Sequence, residues 1–299
     1  MHQTFEVRRL GQTFFAEVTG LDLARPLDEP AFARIKRAHL EHGVVVFRDQ
    51  HLTAEQHIGF SARFGPLQVH PMSQFNLDGA PQILLVSNDR HPDGRPVGIA
   101  DAGRYWHTDM SYLQEPALGS MLYARAVPDE GGDTMFCDMT AACRDLPSDM
   151  RKKLMRSRAV HHFASRWARE QEKSGMRPAQ TREEQDRNPP VEHPLIRTHP
   201  ETGEPAIYAG GFAVSIKNLT ENESESLLRW VEEWVTQPKY VYRHRWQLHD
   251  LVFWDNRRAM HHATVYPEHM RRHMHRTTVK GDAPFLDPQY LARELSSTP

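Results

Sequence analysis

Short apolar runs bounded by glycine, proline and aspartate recur along the chain, and they predict β-strands. The runs are Val44–Phe47, Ile83–Val86, Met121–Ala124, Ile207–Ala209, Leu251–Trp254 and Thr277–Val279. In Tyr240–Trp246, aromatic residues and a histidine alternate with valine and arginine, as they would in a half-buried strand. The hydrophobic pattern therefore indicates a protein that is rich in strands.

Helical patterns are fewer and lie between the predicted strands. The segments Thr53–Gln56 and Thr220–Glu223 each fit a Ser/Thr-x-x-Glu/Gln capping box before an amphipathic run. Two more helices are predicted at Pro30–Glu41 and Ser148–Ser157. Together these elements predict one β-rich α+β domain over residues 1–299, with flanking helices and with strands closed into a barrel or a sandwich.

The segment Ser165–Glu192 breaks this pattern because it is polar, charged and interrupted by glycine and proline. Connections of this length inside a compact domain are often functional or disordered. We interpret residues 165–192 as an ordered excursion, a lid or a mobile loop.

Composition narrows the classes of protein further. The chain has 299 residues, of which 39% are hydrophobic and 9% aromatic, which is enough to build a core and argues against global disorder. Lys plus Arg is 37 and Asp plus Glu is 39, so charge gives no reason to expect nucleic acid or a membrane surface as partner. Only Cys137 and Cys143 occur, which favours a reduced, cytoplasmic setting. We also expect a homo-oligomer, either a dimer or a tetramer.

The clearest chemical signal among the 19 histidines is Trp106-His107-Thr108-Asp109, followed far downstream by His261 in WDNRRAMHH. An H-x-D pair on an extended segment places both side chains on the same face. Two histidines and one carboxylate on one face of a metal leave open positions, which is the arrangement of non-haem iron(II) oxygenases. The same three residue types also fit a zinc hydrolase, and H-x-D alone occurs by chance.

Four motifs in this order, WHTD, PDEGGDTMF, WDNRRAMHH and RRHMHRTTV, resemble the taurine dioxygenase and 2,4-dichlorophenoxyacetate dioxygenase family. The resemblance extends from TGLDLARPL and VVVFRDQ near the start to GDAPF near the end. It implies a double-stranded β-helix (jelly-roll) fold and an iron(II) enzyme. It also implies that 2-oxoglutarate and O2 are cosubstrates, with 2-oxoglutarate decarboxylated to succinate.

The resemblance also assigns site residues. His107, Asp109 and His261 would be the metal ligands, whereas His262 would point to the opposite face. Thr134 in GGDT and Arg272 match the pair that binds the distal carboxylate of 2-oxoglutarate in this family, and we expect the same role for them here. Arginine suits this role because its planar guanidinium offers two parallel donors to a carboxylate.

His70 and Arg276 would bind the anionic group of the substrate, a small carboxylate, aryloxyacetate or sulfonate. Ser73 stands where the taurine enzyme has an aromatic hydroxyl, so we expect a substrate larger than taurine. Taurine itself remains an alternative, as does a catalytically silent jelly-roll binding protein. A zinc hydrolase or a silent protein would leave GGDT and the two arginines unexplained.

Overall fold

The computed structural model describes residues 4–174 and 180–296. Within these residues the strands are β1 (Glu6–Arg9), β2 (Ala16–Thr19), β3 (Val44–Phe47), β4 (Asn76–Leu77), β5 (Ala80–Ser87), β6 (Ala117–Ala126), β7 (Thr134–Asp138), β8 (Arg158–His161), β9 (Val191–Pro194), β10 (Ile196–Thr198), β11 (Pro205–Ile207), β12 (Ala213–Ile216), β13 (Val241–His244), β14 (Leu251–Asp255), β15 (Ala259–Ala263) and β16 (His273–Lys280). The α-helices are α1 (Glu29–His42), α2 (Ala54–Ala62), α3 (Met139–Arg144), α4 (Ser148–Met155), α5 (Phe163–Ser174), α6 (Arg182–Asp186), α7 (Glu221–Val235) and α8 (Pro288–Ser296).

Two sheets dominate the described part of the chain. The larger has the strand order β1-β2-β3-β14-β6-β16-β5-β4, and the smaller has the order β13-β7-β15. The ladders around β6, β7, β14 and β16 are antiparallel, whereas β2 and β3 pair in parallel. Two shorter sheets, β12-β8-β9 and β10-β11, lie outside this pair.

The alternation of side chains along β3 shows how the layers pack. Val44 and Val46 belong to the apolar cluster that also contains Phe136 of the smaller sheet, so this cluster lies between the two sheets. Val45 and Phe47 point to the opposite face, where they join residues of α1 and α2. The period of two along a strand thus gives the larger sheet one face toward its partner sheet and one toward helices.

The smaller sheet follows the same rule. Phe136 and Ala259 face the larger sheet, whereas Cys137 and Met260 face a cluster built with α3, α4 and α7. The order of layers is therefore helix, sheet, sheet, helix, which confirms a β-rich α+β domain with flanking helices. The sequence predicted that the strands close into a barrel or a sandwich, and the structure shows two sheets that face each other.

The predicted helices and the strands predicted at 44–47, 240–246 and 251–254 are confirmed within two residues. The strands predicted at 83–86, 121–124 and 277–279 are present but begin three or four residues earlier. Both capping boxes are present, at the N-termini of α2 and α7. The prediction of a strand at Ile207–Ala209 is wrong, because strand β11 ends at Ile207. Tyr208 is buried, but its backbone N–H donates to Leu195 O outside a strand ladder, so an apolar run alone misled the prediction.

Where the structure describes it, the polar segment at 165–192 contains regular secondary structure. It contains most of α5, all of α6 and the start of β9, while residues 175–179 lie outside the described residues. Helix α5 forms because its strongly amphipathic face packs Phe163 against Tyr112 and Phe212, residues far away in sequence.

No helix in the described ranges has the length and apolarity needed to cross a bilayer. Both cysteines are buried free thiols.

Candidate active site

The side chains of His107, Asp109 and His261 meet in a buried cluster. One potential ligand atom from each lies within 4.8 Å of the others. His107 Nε2 is 3.7 Å from Asp109 Oδ1, and His261 Nε2 is 4.0 Å from Asp109 Oδ2. The three predicted ligands therefore converge on one point, although His261 is distant in sequence.

Backbone pairing brings the two histidines together. His107 N donates to His261 O at 3.0 Å, and His261 N donates to His107 O at 2.8 Å. The ring centroids are 4.1 Å apart. His107 Nδ1 lies 2.8 Å from the carbonyl of Tyr105, which can only accept a hydrogen bond. Nδ1 must then carry the proton, so Nε2 offers its lone pair toward Asp109.

Three contacts hold Asp109 in place. Ser120 Oγ donates to Oδ2 at 2.7 Å, and Arg276 Nη1 donates to Oδ1 at 3.1 Å. The backbone N–H of Asp109 donates to Asn256 Oδ1 at 3.2 Å. The next residue, Met110, has φ of 56°, so the chain turns sharply away from the carboxylate.

The protonation states suit a divalent cation. Burial lowers the pKa of His107, and it lowers the pKa of His261 well below its ordinary value. For Asp109, burial alone would raise the pKa, but the positive charge of Arg276 and the surrounding polar groups, including the hydroxyl of Ser120, outweigh it and lower the pKa. Two neutral imidazoles and one carboxylate are the forms in which these groups bind metal, so the set fits iron(II).

A pocket opens beside this cluster, between the two sheets. Its lining residues are Val86, Ala102, Gly103, His107, Leu122, Thr134, Trp254, His261, Ala263, Arg272 and Arg276. They come mainly from β5, β6, β7, β14, β15 and β16, whose inward faces form the space. Thr134, Arg272 and Arg276, which were predicted to bind carboxylates or anions, thus share one pocket with both histidines.

Arg272 is 4% exposed at the base of this pocket. Its Nε donates to Gly132 O at 3.2 Å, and Gly132 adopts φ of 67° where an added Cβ would lie 3.3 Å from Arg272 Cδ. Burial lowers the pKa of Arg272 to about 10, so the guanidinium is still charged at neutral pH. Thr134 Oγ1 accepts a hydrogen bond from Trp246 Nε1 at 3.0 Å, which leaves its own proton to donate.

His70 lies near Arg276 but is not among the residues that line the pocket. Burial, followed by the positive charge of Arg276, lowers the pKa of His70 to about 4, so the ring is neutral at pH 7. Its Nδ1 accepts from Met72 N at 3.2 Å, which leaves Nε2 to carry the proton. His262, as expected, is outside the pocket lining, and its ring lies 5.6 Å from Trp106.

Sequence reasoning missed Asn256, which connects several parts of the site. Its backbone carbonyl accepts from Thr108 Oγ1 at 2.7 Å. Its Oδ1 accepts from Asp109 N and from Trp254 Nε1, and its Nδ2 donates to Ser120 Oγ at 3.3 Å. The signal was present in WDNR, whose asparagine immediately follows a strand that ends beside the site.

Comparison with known proteins agrees with this geometry. Residues 6–278 match the model of the family described as taurine catabolism dioxygenase TauD, TfdA family. The 2,4-dichlorophenoxyacetate dioxygenase of Cupriavidus pinatubonensis is 36% identical, over 90% of this chain and 96% of that protein. The (S)-phenoxypropionate/alpha-ketoglutarate-dioxygenase of Sphingobium herbicidovorans is 34% identical, over 94% and 97%.

A solved structure is similar over nearly the whole chain. AAD-2 in complex with Mn(II) and N-oxalylglycine superposes with a TM-score of 0.81 and 32% identity, covering 95% of this chain and 100% of that one. The family match over residues 6–278 includes nearly all of both sheets and the cluster of His107, Asp109 and His261. The chain therefore belongs to the TauD, TfdA family and is an enzyme of the alpha-ketoglutarate-dependent (2-oxoglutarate-dependent) dioxygenase class.

Proposed function

We propose that this enzyme binds iron(II) through His107, Asp109 and His261 and hydroxylates an aryl-bearing carboxylate. We propose equally that its two facing sheets form a double-stranded β-helix. One observation carries the proposal: the buried His-Asp-His cluster opens into a pocket that also contains Thr134 and Arg272. A zinc hydrolase would need the three ligands and would have no use for these two carboxylate-binding residues.

In this proposal the chain positions its ligands and excludes water. Arg272 and Thr134 donate to the distal carboxylate of 2-oxoglutarate, so its other end is directed toward the histidines. Iron(II), when bound, supplies the redox chemistry that couples decarboxylation of 2-oxoglutarate to hydroxylation of the substrate. The apolar lining from Val86, Leu122 and Trp254 keeps the pocket dry around these charged groups.

Arg276 and the neutral His70 bind the substrate anion. The Arg276 guanidinium is fixed by Asp109 through Nη1, and its Nε is buried without a hydrogen-bond partner among the described residues. An unsatisfied buried N–H is costly, so a carboxylate oxygen that reached this donor would be bound strongly. Relatives named for 2,4-dichlorophenoxyacetate and phenoxypropionate act on such carboxylates.

An aromatic cluster beside His107 supports an aryl group over an alkyl one. Tyr105 lies 4.8 Å and Phe212 lies 6.2 Å from the ring of His107. Tyr112 contacts Phe212 at 4.9 Å and Phe163 of α5 at 4.8 Å. We call Tyr105, Tyr112, Phe163 and Phe212 the aromatic wall. None of these four side chains lines the pocket. In this proposal the ring of the substrate extends past His107 and packs against them in edge-to-face or offset geometry.

Hydroxylation of an aryloxyacetate at its methylene would place the new hydroxyl and the ether oxygen on the same carbon. This hemiacetal then breaks at the ether bond, and its hydroxyl proton passes to the leaving oxygen. The products are a phenol and an aldehyde acid, with all atoms accounted for. The protein needs no additional catalytic base for this step, since the intermediate falls apart unaided in water.

The proposal is tested by measuring succinate release from iron-loaded enzyme with aryloxyacetates, alkyl sulfonates, alkyl sulfate esters, taurine and small aliphatic carboxylates. We expect aryloxyalkanoates to give the greatest stimulation, together with an equimolar amount of phenol. Greatest stimulation by taurine would contradict the assignment to aryl carboxylates. Activity with zinc but no 2-oxoglutarate would contradict the dioxygenase mechanism.

A further inference from the structure

Arg104, in the run Gly103-Arg104-Tyr105 just before the first ligand, has no role in the reaction described so far. Its guanidinium carbon lies 5.7 Å from the ring centroid of Tyr266. The guanidinium carbon of Arg272 lies 5.9 Å from the same centroid. Tyr266 therefore contacts both the arginine proposed to bind 2-oxoglutarate and a second arginine behind it, at distances typical of cation–π contacts.

Tyr266 belongs to a connection between β15 and β16 that the protein holds firmly. Gly132 N donates to Val265 O at 3.2 Å, directly before Tyr266. Gly131 next to it has φ of 72°, and a Cβ there would lie 2.4 Å from Val265 O, so only glycine allows this approach. At the other end, Arg272 N donates to Asn88 Oδ1 at 2.8 Å. The ring is thus presented to Arg272 by a backbone fixed on both sides.

The charges around Tyr266 are mainly positive. Burial raises the pKa of Tyr266, and the fields of Arg272 and Arg104 oppose that rise more strongly than Asp101 adds to it. Asp133, whose charge also reaches Arg272, is bound by Arg243 Nε at 2.6 Å. Two guanidinium groups near one half-buried phenol repel each other, and an incoming carboxylate would relieve that repulsion.

We propose that Arg104 and Tyr266 are positioning residues of the cosubstrate site. The Tyr266 ring holds the guanidinium of Arg272 toward the pocket, and Arg104 adds a second positive charge that favours 2-oxo acids with a distal carboxylate. Neither side chain lines the pocket, so both act through Arg272. This inference rests on the proposed role of Arg272 in binding 2-oxoglutarate.

The test is calorimetric binding to the Mn(II)-loaded protein, with 2-oxoglutarate compared to 2-oxopentanoate. The second acid has the same chain length and lacks only the distal carboxylate. We expect Arg104→Gln to raise the Kd for 2-oxoglutarate about three- to fivefold and to leave that for 2-oxopentanoate unchanged. Arg104→Lys should restore part of the loss, because it keeps the charge. Tyr266→Leu should behave like Arg104→Gln. Tyr266→Phe keeps the ring, loses only the side-chain hydrogen bond to Arg104, and should bind closer to the wild type.

Arg271→Gln is the matched control, since Arg271 adjoins Arg272 but is paired with Asp89 at 2.8 Å and is largely exposed. It removes the same charge and should leave both dissociation constants unchanged. Equal weakening of both acids by Arg104→Gln, or no weakening of either, would overturn the inference. A wild-type protein that binds the two acids equally would instead refute the proposed role of Arg272, and the inference would fail with it.

Discussion

Arg276 donates a hydrogen bond from Nη1 to Oδ1 of the Asp109 carboxylate, at 3.1 Å. The arginine proposed to bind substrate thus also orients the carboxylate proposed to bind the metal. Its charge helps to keep Asp109 ionised in a buried setting, because it opposes the effect of desolvation. Because Arg276 is bonded to Asp109, an anion bound to its remaining donors would lie beside the metal. The hydrogen bond between Arg276 and Asp109 thus links the position of the substrate to the reacting centre.

The ligand set can be tested by single substitutions. His107→Ala, Asp109→Ala and His261→Ala should each abolish 2-oxoglutarate-dependent turnover and reduce iron binding, measured by metal analysis after dialysis. His262→Ala should retain most of both, because His262 is on the other face of β15 and does not line the pocket. An inactive His262→Ala variant beside an active His261→Ala variant would show that the assignment of the last ligand is wrong.

Ser120 and Arg276 both donate to the Asp109 carboxylate, but only Arg276 is proposed to bind substrate as well. Substitutions at these two residues therefore distinguish orientation of Asp109 from substrate binding. Arg276→Ala should lower substrate-stimulated turnover by roughly tenfold or more, the size expected for losing a charge-assisted contact. Substrate-independent decarboxylation of 2-oxoglutarate should be largely retained. Ser120→Ala is the control, since it removes the 2.7 Å hydrogen bond to the same carboxylate without touching a substrate donor. Equal loss of both activities in Arg276→Ala would mean that this arginine serves only Asp109.

The role of Arg272 predicts a specific loss of affinity. Removing one partner of a buried charge pair costs about 2–5 kcal/mol, so Arg272→Ala should raise the Kd for 2-oxoglutarate by at least roughly tenfold. Titration of the Mn(II)-loaded protein measures this without turnover. Unchanged affinity would rule out the assignment of Arg272. Arg271→Ala is a suitable comparison, because it removes a largely exposed arginine that pairs with Asp89.

Strands were predictable where both faces are buried. Val44–Phe47 and Leu251–Trp254 are continuous apolar runs because one set of side chains meets the partner sheet and the other meets helices. Strand β1 was missed, since most of its side chains are exposed. Helix α5 was missed because its apolar partners, Tyr112 and Phe212, are distant in sequence. The sheet order of the fold also depends on such long-range pairing, which local patterns do not encode.

Residues of the site could be predicted from the sequence only where they belong to a recognisable motif. His107, Asp109 and His261 were found from spacing and resemblance, and the structure places them together. Their role as metal ligands remains a prediction, as do the expected roles of Thr134, Arg272, His70 and Arg276, the cytoplasmic location and the dimeric or tetrameric assembly. Asn256 was missed because WDNR was used only to locate His261, and the hydrogen bonds of its asparagine with Asp109 and Ser120 form only in the folded chain.

The contacts of Asn256 predict an effect on metal affinity. Asn256→Ala removes the acceptor for the backbone N–H of Asp109 and the donor to Ser120, so Asp109 loses one direct contact and Ser120, which donates to its carboxylate, loses the donor that orients it. Residues that orient metal ligands typically contribute about 10–100-fold to metal affinity, and we expect a loss in this range. Competition with a calibrated chelator measures it. Asn76→Ala, at a partly buried asparagine outside the metal cluster, should leave the affinity unchanged.

The aromatic wall predicts selectivity for aryl substrates, and Phe212 is the residue to test. It is 6% exposed and contacts Tyr105, Tyr112 and Phe163, so removal of the whole side chain would cost about 3–5 kcal/mol of folding stability. Phe212→Leu keeps much of the volume and removes only the ring. Aromatic pairs contribute about 0.5–1.5 kcal/mol beyond buried area, so kcat/KM for an aryloxyacetate should fall roughly three- to tenfold.

An aliphatic carboxylate provides the internal reference for this variant, because it uses the same anion-binding residues but no ring contact. Its kcat/KM should change less than twofold, on the order of 0.4 kcal/mol. Phe285→Leu, at an exposed aromatic position, should alter neither substrate. If Phe212→Leu lowered both activities equally, Phe212 would act by supporting His107, whose ring it approaches at 6.2 Å, and the substrate would have to be recognised by its anion alone.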